Sequence, residues 1–245
     1  MNEVILSAGA LGSPQLLMLS GIGPRAHLEA HGVNPVVLDV PMVGQGMGDN
    51  PMNSFIVPSP QPVELSVVET SLSTQSITDL LKSVSMIEID GWIVNKVDGP
   101  LSRGHLELRN KNPDDNPYVK FNYYQEPEDL EKCVKGLKTI IKVIKSNAYS
   151  NYKYRNATTR ELLNLMLSLP INLRPRHETA MFNLTQFCFD TVMTIWHYHG
   201  GCQVGRVVDK DYKVFGIDAL RVIDGSTFLK SPGTNPQATV MMLGR

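Results

Sequence analysis

Apolar positions near the start of the chain predict a strand followed by a helix. Val4-Ile5-Leu6 form a short β-type run that we expect to be buried, and Gly9 provides a sharp exit from it. Ser13 is placed to cap the following helix, Pro14 suits its first position, and Gly21 suits its end. The first segment therefore predicts a βα unit.

The middle of the chain contains strand-like runs that are separated by turn signals. Alternating apolar and polar positions predict three strands that suit one antiparallel sheet, at Trp92-Ile93-Val94, His105-Leu106-Glu107-Leu108 and Tyr118-Val119-Lys120-Phe121. A helix is predicted from Glu126 to about Ser146, because apolar residues recur there at spacings of three and four. This region is thus expected to combine a sheet with helices.

The last fifty residues contain a β-type run, a turn and a helix start. Val222-Ile223 lead into the turn Asp224-Gly225-Ser226, and Asn235 is a favoured N-cap before Pro236 at the first helical position. The apolar residues 238–243 then predict a buried helix. A helix start presents free N–H groups and about half a positive charge, which suits an anion or an electron-rich ring edge.

Histidine and cysteine positions limit the candidate chemistry. His197 lies in Trp196-His197-Tyr198-His199-Gly200-Gly201-Cys202 and has an ordinary pKa near physiological pH, so it could remove a proton from a hydroxyl. A hydrogen-bonded structural role is the alternative for such a histidine. Cys133, Cys188 and Cys202 are too few and too scattered for a zinc site, and by themselves they indicate three buried thiols.

Composition indicates one or two folded domains with a sizeable core, because 42% of the 245 residues are hydrophobic and 19% are charged. A net charge of −1 gives no reason to expect a nucleic acid or an anionic membrane as partner. We find no apolar run of transmembrane length and no signal-peptide pattern at the start.

The ordered motifs resemble the glucose-methanol-choline (GMC) oxidoreductases, flavoproteins that oxidise alcohols. The segment from Gly9 to Gly23 is similar to the family's second signature, and the three segments near the end are similar to its C-terminal one. Other motifs resemble the plant branch with HOTHEAD-like proteins and almond-type mandelonitrile lyases, at Val43-Gly44-Gln45-Gly46-Met47, Asp49-Asn50-Pro51, residues 99–106 and Phe121-Asn122-Tyr123-Tyr124.

The resemblance implies an α/β chain, α+β overall. Residues 1–55 and 191–245 would be parts of one FAD-binding Rossmann-like domain, and residues 56–190 would form a substrate-binding domain with an antiparallel sheet covered by helices. The family's Gly-x-Gly-x-x-Gly fingerprint for the FAD pyrophosphate is not found here. We therefore expect a C-terminal part of a longer enzyme that by itself binds FAD weakly or not at all.

The resemblance also assigns site residues. His197 matches the catalytic histidine and would accept the hydroxyl proton, whereas His199 would have a structural role. Asn235 takes the second active-site position and would hydrogen-bond the substrate oxygen while hydride passes to the flavin. His197 and Asn235 would both face the flavin. The full set of positions that the resemblance assigns to cofactor binding is Trp196, His197, Asp224, Gly225, Asn235, Pro236 and Gln237. No metal ligand is implied.

Three functional interpretations follow from the resemblance. The first is FAD-dependent oxidation of an alcohol, for which the HOTHEAD-like branch suggests a long-chain hydroxy fatty acid. The second is a hydroxynitrile lyase, against which Asn235 argues because the almond-type lyases have histidine at that position. The third is a truncated product without catalysis.

The almond-type lyases further imply a redox state and a compartment. Their cysteines that match Cys133 and Cys188 are joined, so we expect this pair to be bonded and Cys202 to stay free. A disulfide, together with glycosylation sequons at Asn156 and Asn183, suggests a secreted or endomembrane parent protein.

Overall fold

The computed structural model describes residues 2–60, 91–233 and 235–245, which we call the described chain. Its helices are α1 (Gly9–Leu19), α2 (Arg25–Ala30), α3 (Pro127–Lys145), α4 (Thr159–Ser168), α5 (Leu184–Thr191) and α6 (Gln237–Gly244). Its strands are β1 (Val4–Leu6), β2 (Ile22–Gly23), β3 (Leu38–Asp39), β4 (Gln45–Met47), β5 (Pro51–Ile56), β6 (Trp92–Lys96), β7 (Gly104–Glu107), β8 (Tyr118–Lys120), β9 (Met193–Thr194) and β10 (Leu220–Val222).

The chain divides into two compact units. Unit 1 consists of Met1–Pro51, Val97–Asp129 and Thr194–Arg245, and unit 2 consists of Met52–Lys96 and Leu130–Met193. The two ends of the chain thus share one unit. The units differ from the predicted division at 97–129, because β7 pairs with β4 inside unit 1. The assignment of 1–55 and 191–245 to FAD and of 56–190 to substrate stays a prediction.

Unit 1 contains three small sheets. β1 pairs in parallel with β10, with Val4 opposite Leu220, and β2 pairs in parallel with β3. β4, β7 and β8 form an antiparallel sheet in the order β4-β7-β8. Its core gathers apolar side chains of α1, the β4 and β7 strands and the segment after residue 200, including Leu17, Met18, Val43, Met47, Leu106, Cys202, Val207 and Val222. The mixed helix and sheet class is as predicted.

The predicted burial of the first strand is wrong. Val4 and Ile5 are 62% and 56% exposed, and only Leu6 of β1 is half-buried. In the described chain β1 has β10 as its one paired neighbour. The apolar residues of β1 were correctly assigned to a strand. The periodicity and composition of a sequence, however, do not reveal how much of the rest of the chain packs over that strand.

Helix α1 begins earlier than predicted. It runs from Gly9, so Ser13 and Pro14 lie inside the helix and are not its N-cap and first residue. The Ser13 hydroxyl donates to Asp224 Oδ2 at 2.5 Å and accepts a hydrogen bond from Ala8 N–H at 3.0 Å. This hydroxyl therefore connects the start of α1 to the far end of the chain.

The predicted single sheet is divided into two. β7 and β8 pair with each other, but β6 pairs with β5 in a second sheet of order β6-β5-β9. The sequence reading missed β5, all six residues of which are buried, because its apolar and polar side chains do not alternate. It also missed β4, in a glycine-rich segment that reads as a loop.

Unit 2 joins the β5 to β9 sheet with α4, α5 and the greater part of α3. The predicted helix from Glu126 to about Ser146 is confirmed as α3, and its acidic first turn suits the helix dipole. Thr158 and Glu161 form a capping box at the start of α4, and Asn183 caps α5. No helix of the described chain is long and apolar enough to cross a membrane.

The predicted cysteine pairing is confirmed. Cys133 of α3 and Cys188 of α5 are joined, with their Cα atoms 6.4 Å apart. Cys202 is a free thiol, and burial raises its pKa above the ordinary value. The covalent bond therefore connects two helices of unit 2.

Helix α6 corrects two expectations. It begins at Gln237, so Pro236 occupies the N-cap position predicted for Asn235, and the helix has no side-chain cap hydrogen bond. None of its residues is buried, and Met241 and Met242 are 67% and 72% exposed, although the apolar sequence predicted a buried helix. In the described chain nothing covers these two methionines enough to bury them.

Candidate functional site

The backbone at His197 is held by a buried carboxylate. Trp196 has a left-handed backbone with φ of 60°, and its N–H donates to Thr194 Oγ1 at 2.8 Å. The next N–H, of His197, donates to Asp49 Oδ1 at 2.9 Å. Because such a φ is costly for a residue other than glycine, these two bonds fix an otherwise disfavoured bend. The bend leaves Trp196 47% exposed and His197 buried.

The His197 imidazole is held by an amide. Its Nδ1 lies 3.0 Å from Asn50 Nδ2, which also donates to Ser231 Oγ at 3.1 Å. Asn50 Oδ1 accepts the N–H of Gly99 at 3.2 Å. Asn50 is completely buried, so its amide is anchored on three sides. The ring of His197 thus has a fixed orientation.

The Asp49 carboxylate is buried beside an aromatic group. Its Oδ2 accepts the hydroxyl of Tyr123, while Oδ1 accepts the His197 N–H. Burial raises the pKa of Asp49, and the hydrogen bond from Tyr123 opposes that shift. Burial likewise raises the pKa of Tyr123, so this hydroxyl stays protonated and donates. We call Asp49, Asn50, Tyr123, His197 and Ser231 the His197 network.

His199 is built into the backbone pairing beside this network. Gly48 and His199 exchange both N–H···O=C bonds, at 2.8 and 2.9 Å, and His199 Nδ1 donates to the carbonyl of His197 at 3.0 Å. Burial lowers the pKa of His199 to about 4, so the ring is neutral at pH 7. A Cβ at Gly48 would lie 2.5 Å from His199 Nε2, which excludes any larger residue.

The Gly200-Gly201 turn connects this segment with the turn after β10. Gly200 has φ of 85°, and a Cβ there would lie 2.2 Å from the carbonyl oxygen of Gly46. The N–H of Gly200 donates to Gly225 O at 3.1 Å, and that of Cys202 donates to Ser226 O at 2.9 Å. Only glycine can therefore bring the histidine segment and the Asp224-Gly225-Ser226 turn so close.

Asp224, assigned to FAD by resemblance, is engaged inside the chain. Its carboxylate accepts the N–H of Gly9 at 3.0 Å, the hydroxyl of Ser13 and the N–H of Ser226 at 2.7 Å. With three donors on a buried carboxylate, Asp224 joins the β1 to α1 turn to the β10 turn. Its contact with FAD stays a prediction.

The second part of the candidate site is the start of α6. Asn235 and Gln237 are exposed, and Pro236 is half-buried. The helix lies beside the Gly225 turn, because a Cβ at Gly225 would come within 4.0 Å of Val240 Cγ2. His197, by contrast, is inside the network described above. That His197 and Asn235 face one cavity stays a prediction.

The donor set at the start of α6 fits the flavin end of FAD. No side chain caps this helix, so its first N–H groups and its positive dipole end are available to an electron-rich edge. The exposed ring of Trp196 can provide an aromatic contact, and the exposed amide of Gln237 can provide polar contacts.

The sequence reading assigned no role to Asp49, Asn50, Tyr123 or Ser231. A signal was present for the first three, since they lie in the motifs Asp49-Asn50-Pro51 and Phe121-Asn122-Tyr123-Tyr124, which supported the family resemblance. Ser231 lies in no such motif. All four approach His197 only through contacts between distant parts of the chain, so local patterns could not reveal them.

Comparison with known proteins identifies the family. A family model described as GMC oxidoreductase matches residues 100–244, and a second model of the same description matches residues 1–52. The fold is similar to that of pyridoxine 4-oxidase from Mesorbium loti, with a TM-score of 0.76 at 21% identity over 98% of this chain and 49% of that one.

Relatives of higher identity cover the whole chain. Protein HOTHEAD of Arabidopsis thaliana is 43% identical over 100% of this chain and 49% of its own length. The (R)-mandelonitrile lyase-like protein of the same plant is 42% identical, and the sinalpyl alcohol oxidase Nec3 of Nesocodon mauritianus is 39% identical. These two also cover all of this chain, with 47% and 46% of their own lengths matched. The chain thus spans about half the length of these relatives.

Proposed function

Because the chain belongs to the GMC oxidoreductase family, we propose that the whole protein oxidises the CH–OH group of an alcohol with FAD as cofactor. One observation carries this proposal: the imidazole of His197 is buried and its Nδ1 is held by the Asn50 amide, which gives the ring one fixed orientation. A histidine held in one orientation can take part in proton transfer with a hydroxyl group.

The side chains of this chain have separate tasks in the proposed reaction. His197 takes the hydroxyl proton, and Asn235 hydrogen-bonds the same oxygen and so orients the carbinol carbon. Residues that would hold the flavin end are Trp196, Asp224, Gly225, Pro236 and Gln237. When bound, FAD supplies the acceptor of the hydride. The burial of the His197 network excludes water from the side of the ring that faces Asn50.

The experiment compares two histidine variants in the full-length, FAD-loaded protein. His197→Ala should slow alcohol oxidation roughly a hundredfold or more, the usual scale for a lost general base. The matched control is His105→Ala, on β7 of the same unit but outside the His197 network. Stopped-flow flavin reduction with an alcohol measures both. An unchanged rate in His197→Ala would remove this residue from the mechanism.

For the substrate we propose a long-chain hydroxy fatty acid, which rests on the resemblance to the HOTHEAD-like branch. The sinalpyl alcohol oxidase relative makes an aromatic alcohol the natural comparison. Steady-state kcat/KM for an ω-hydroxy fatty acid, a short alkanol and an aromatic alcohol separates the possibilities. A higher value for the aromatic alcohol than for the fatty acid would contradict the proposed substrate.

A second candidate function is cleavage of a cyanohydrin. It is favoured by the 42% identity to a protein named (R)-mandelonitrile lyase-like and by 40% identity to (R)-mandelonitrile lyase 1 of Prunus serotina. Asn235 argues against it, since the lyase-type site is expected to pair two histidines. Cyanide release from mandelonitrile without flavin reduction would establish the lyase, and flavin reduction by an alcohol would establish the oxidase.

We also propose that the parent protein matures in an oxidising compartment. The Cys133 to Cys188 bond supports this, and both sequon asparagines, Asn156 and Asn183, are exposed. Alkylation of native protein before and after reduction, followed by mass spectrometry, should show two cysteines that react only after reduction. Two alkylated residues at Cys133 and Cys188 without reduction would contradict it.

A further inference from the structure

We infer that Asn50 is a positioning residue that sets the tautomer of His197, holding the proton of the neutral ring on Nε2. The tautomer is a statement about this chain alone, and only its catalytic consequence rests on the proposed function. The inference begins from Asn50, which lies between Gly99, Ser231 and the imidazole.

The orientation of the Asn50 amide follows from its neighbours. The backbone N–H of Gly99 can only donate, so the atom that it faces at 3.2 Å must be the carbonyl oxygen Oδ1. The NH₂ group then points the other way, where Ser231 Oγ and His197 Nδ1 lie at 3.1 and 3.0 Å. A serine hydroxyl can accept as well as donate, so Ser231 is compatible with this arrangement.

The orientation of the amide determines the protonation of the ring. An NH₂ hydrogen directed at Nδ1 requires a lone pair there, so the proton of the neutral imidazole is on Nε2. The imidazolium ion has N–H groups at both positions and cannot accept the bond from Asn50. A buried N–H facing another N–H would be costly, so the amide must turn when His197 becomes charged.

Other histidines of the chain have the opposite tautomer. His199 Nδ1 faces the carbonyl of His197 at 3.0 Å, and His31 Nδ1 faces the carbonyl of His27 at 2.9 Å. A carbonyl only accepts, so both neutral rings have the proton on Nδ1. His27 Nε2 accepts the N–H of Leu108 at 3.0 Å, which also puts its proton on Nδ1. Of these four rings only His197 has its proton on Nε2, and the hydrogen bond from Asn50 accounts for this difference.

The tautomer has a consequence for the proposed reaction. Because Nδ1 faces Asn50, the proposed proton exchange with a substrate hydroxyl would take place at Nε2. Acting as a base there requires the lone pair on Nε2 and the proton on Nδ1. Reaching that state requires the ring to release its Nε2 proton to solvent and to take up a solvent proton at Nδ1, while the Asn50 amide turns half a turn so that Oδ1 accepts Nδ1–H and the Gly99 bond is lost. The amide orientation therefore decides whether His197 donates to the substrate oxygen or accepts from it.

The test measures ring-nitrogen chemical shifts in this chain with ¹⁵N-labelled histidine, at a pH where the rings are neutral. The signals of His197 and His199 are assigned from His197→Gln and His199→Asn. Unaltered protein should show His197 protonated on Nε2 and His199 protonated on Nδ1. The His199 signal then serves in every sample as the internal reference for a native site.

Two variants of Asn50 and one control complete the test. In Asn50→Asp the carboxylate can only accept, so His197 should switch to Nδ1–H. The ratio of the Nδ1–H tautomer to the Nε2–H tautomer should rise by roughly tenfold or more. In Asn50→Ala, which removes the amide, the two tautomers should be mixed. Ser231→Ala is the control: it removes one acceptor of the Asn50 NH₂ but leaves the Gly99 anchor, so Nε2–H should persist.

Each outcome decides the inference. Nδ1–H on His197 in the unaltered chain would overturn it, and that measurement needs no variant to fold. An unchanged Nε2–H in Asn50→Asp or Asn50→Ala, with the native His199 signal present, would show that another group sets the tautomer. The proposed function fails separately, if the FAD-loaded protein does not oxidise alcohols while the tautomers are as inferred.

Discussion

The His197 network and the start of α6 are the two halves of the candidate site, and they are built in opposite ways. Around His197 every named side chain is buried or half-buried and hydrogen-bonded to another part of unit 1. At the start of α6, Asn235 and Gln237 are exposed and the helix has no side-chain cap. The first half depends on distant contacts within this chain, and the second does not.

The contrast predicts which property of the protein a mutation in each half should change. A buried network of satisfied polar groups is costly to disrupt, since each removed partner leaves another group without its hydrogen bond. Exposed groups at a helix start have water as an alternative partner. Changes in the His197 network should therefore alter stability, whereas changes at α6 should alter binding or catalysis and leave the fold of this chain intact.

The largest effect is expected for Asp49→Ala. The change leaves the Tyr123 hydroxyl and the His197 N–H without their common acceptor, and losing two buried hydrogen bonds to a carboxylate costs about 3 kcal/mol or more. Urea unfolding of this chain measures the loss. Asp114→Ala, at an exposed loop position, is the control and should stay within about 0.5 kcal/mol. Equal effects of the two changes would contradict the comparison.

The next effect is a pH dependence that comes from His199. Burial lowers its pKa from 6.5 in the unfolded chain to about 4, so between these values the unfolded chain binds a proton that the folded chain does not. Stability should therefore fall as the pH falls from 6.5 to 4, by at most about 3 kcal/mol, and this group should add no further loss below pH 4.

The variant His199→Asn sharpens this prediction. Its amide can replace the Nδ1–H donor toward the His197 carbonyl, but it does not titrate. Unfolding free energies at pH 7 and pH 4.5 should therefore differ less in the variant than in the unaltered chain. The same pH difference in both proteins would show that His199 is not the source.

A small effect is expected on the exposed face of α6. Met241→Gln and Met242→Gln replace side chains that are 67% and 72% exposed, so the unfolding free energy should change by no more than about 0.5 kcal/mol. Met47→Gln, at a completely buried position of β4, is the matched control and should be strongly destabilising. A large effect of the α6 changes would mean that this face is covered.

The smallest effect on stability is expected for Asn235→Ala. Since Asn235 makes no cap hydrogen bond to α6, the change should alter the unfolding free energy by only a few tenths of a kcal/mol, compared with about 1 kcal/mol for a lost cap. Asn183→Ala, which removes the cap of α5, is the comparison. In the FAD-loaded protein the same Asn235 change should lower kcat, which separates its proposed function from any structural role.

Sequence reasoning predicted local features well and long-range contacts poorly. The α3 helix follows from spacing alone, and the Cys133 to Cys188 pair follows from the resemblance, because both depend on nearby or transferable patterns. The exposure of Val4 and the start of α1 were mispredicted. The exposure of Val4 depends on how much of the fold covers β1, and the start of α1 depends on Asp224, which lies far away in the chain and accepts the Gly9 N–H and the Ser13 hydroxyl.

In the candidate site the sequence identified His197 and its motif, but it did not identify what holds the ring. Asn50 comes from the segment before β5, and Ser231 comes from the segment after the Gly225 turn. Their meeting at one imidazole depends on the tertiary fold of unit 1. The periodicity of a single sequence does not indicate that residues so far apart in the chain lie close together.

The pairing of β1 with β10 has a consequence for synthesis on the ribosome. Ser7 Oγ and Ile223 O are hydrogen-bonded although they are 216 positions apart, so β1 must wait for β10 to be synthesised before the two strands can pair. At about 5 to 20 residues per second, this interval lasts roughly ten seconds or longer. During that time the pairing of β1 with β10, and with it the completion of unit 1, is limited by the speed of translation.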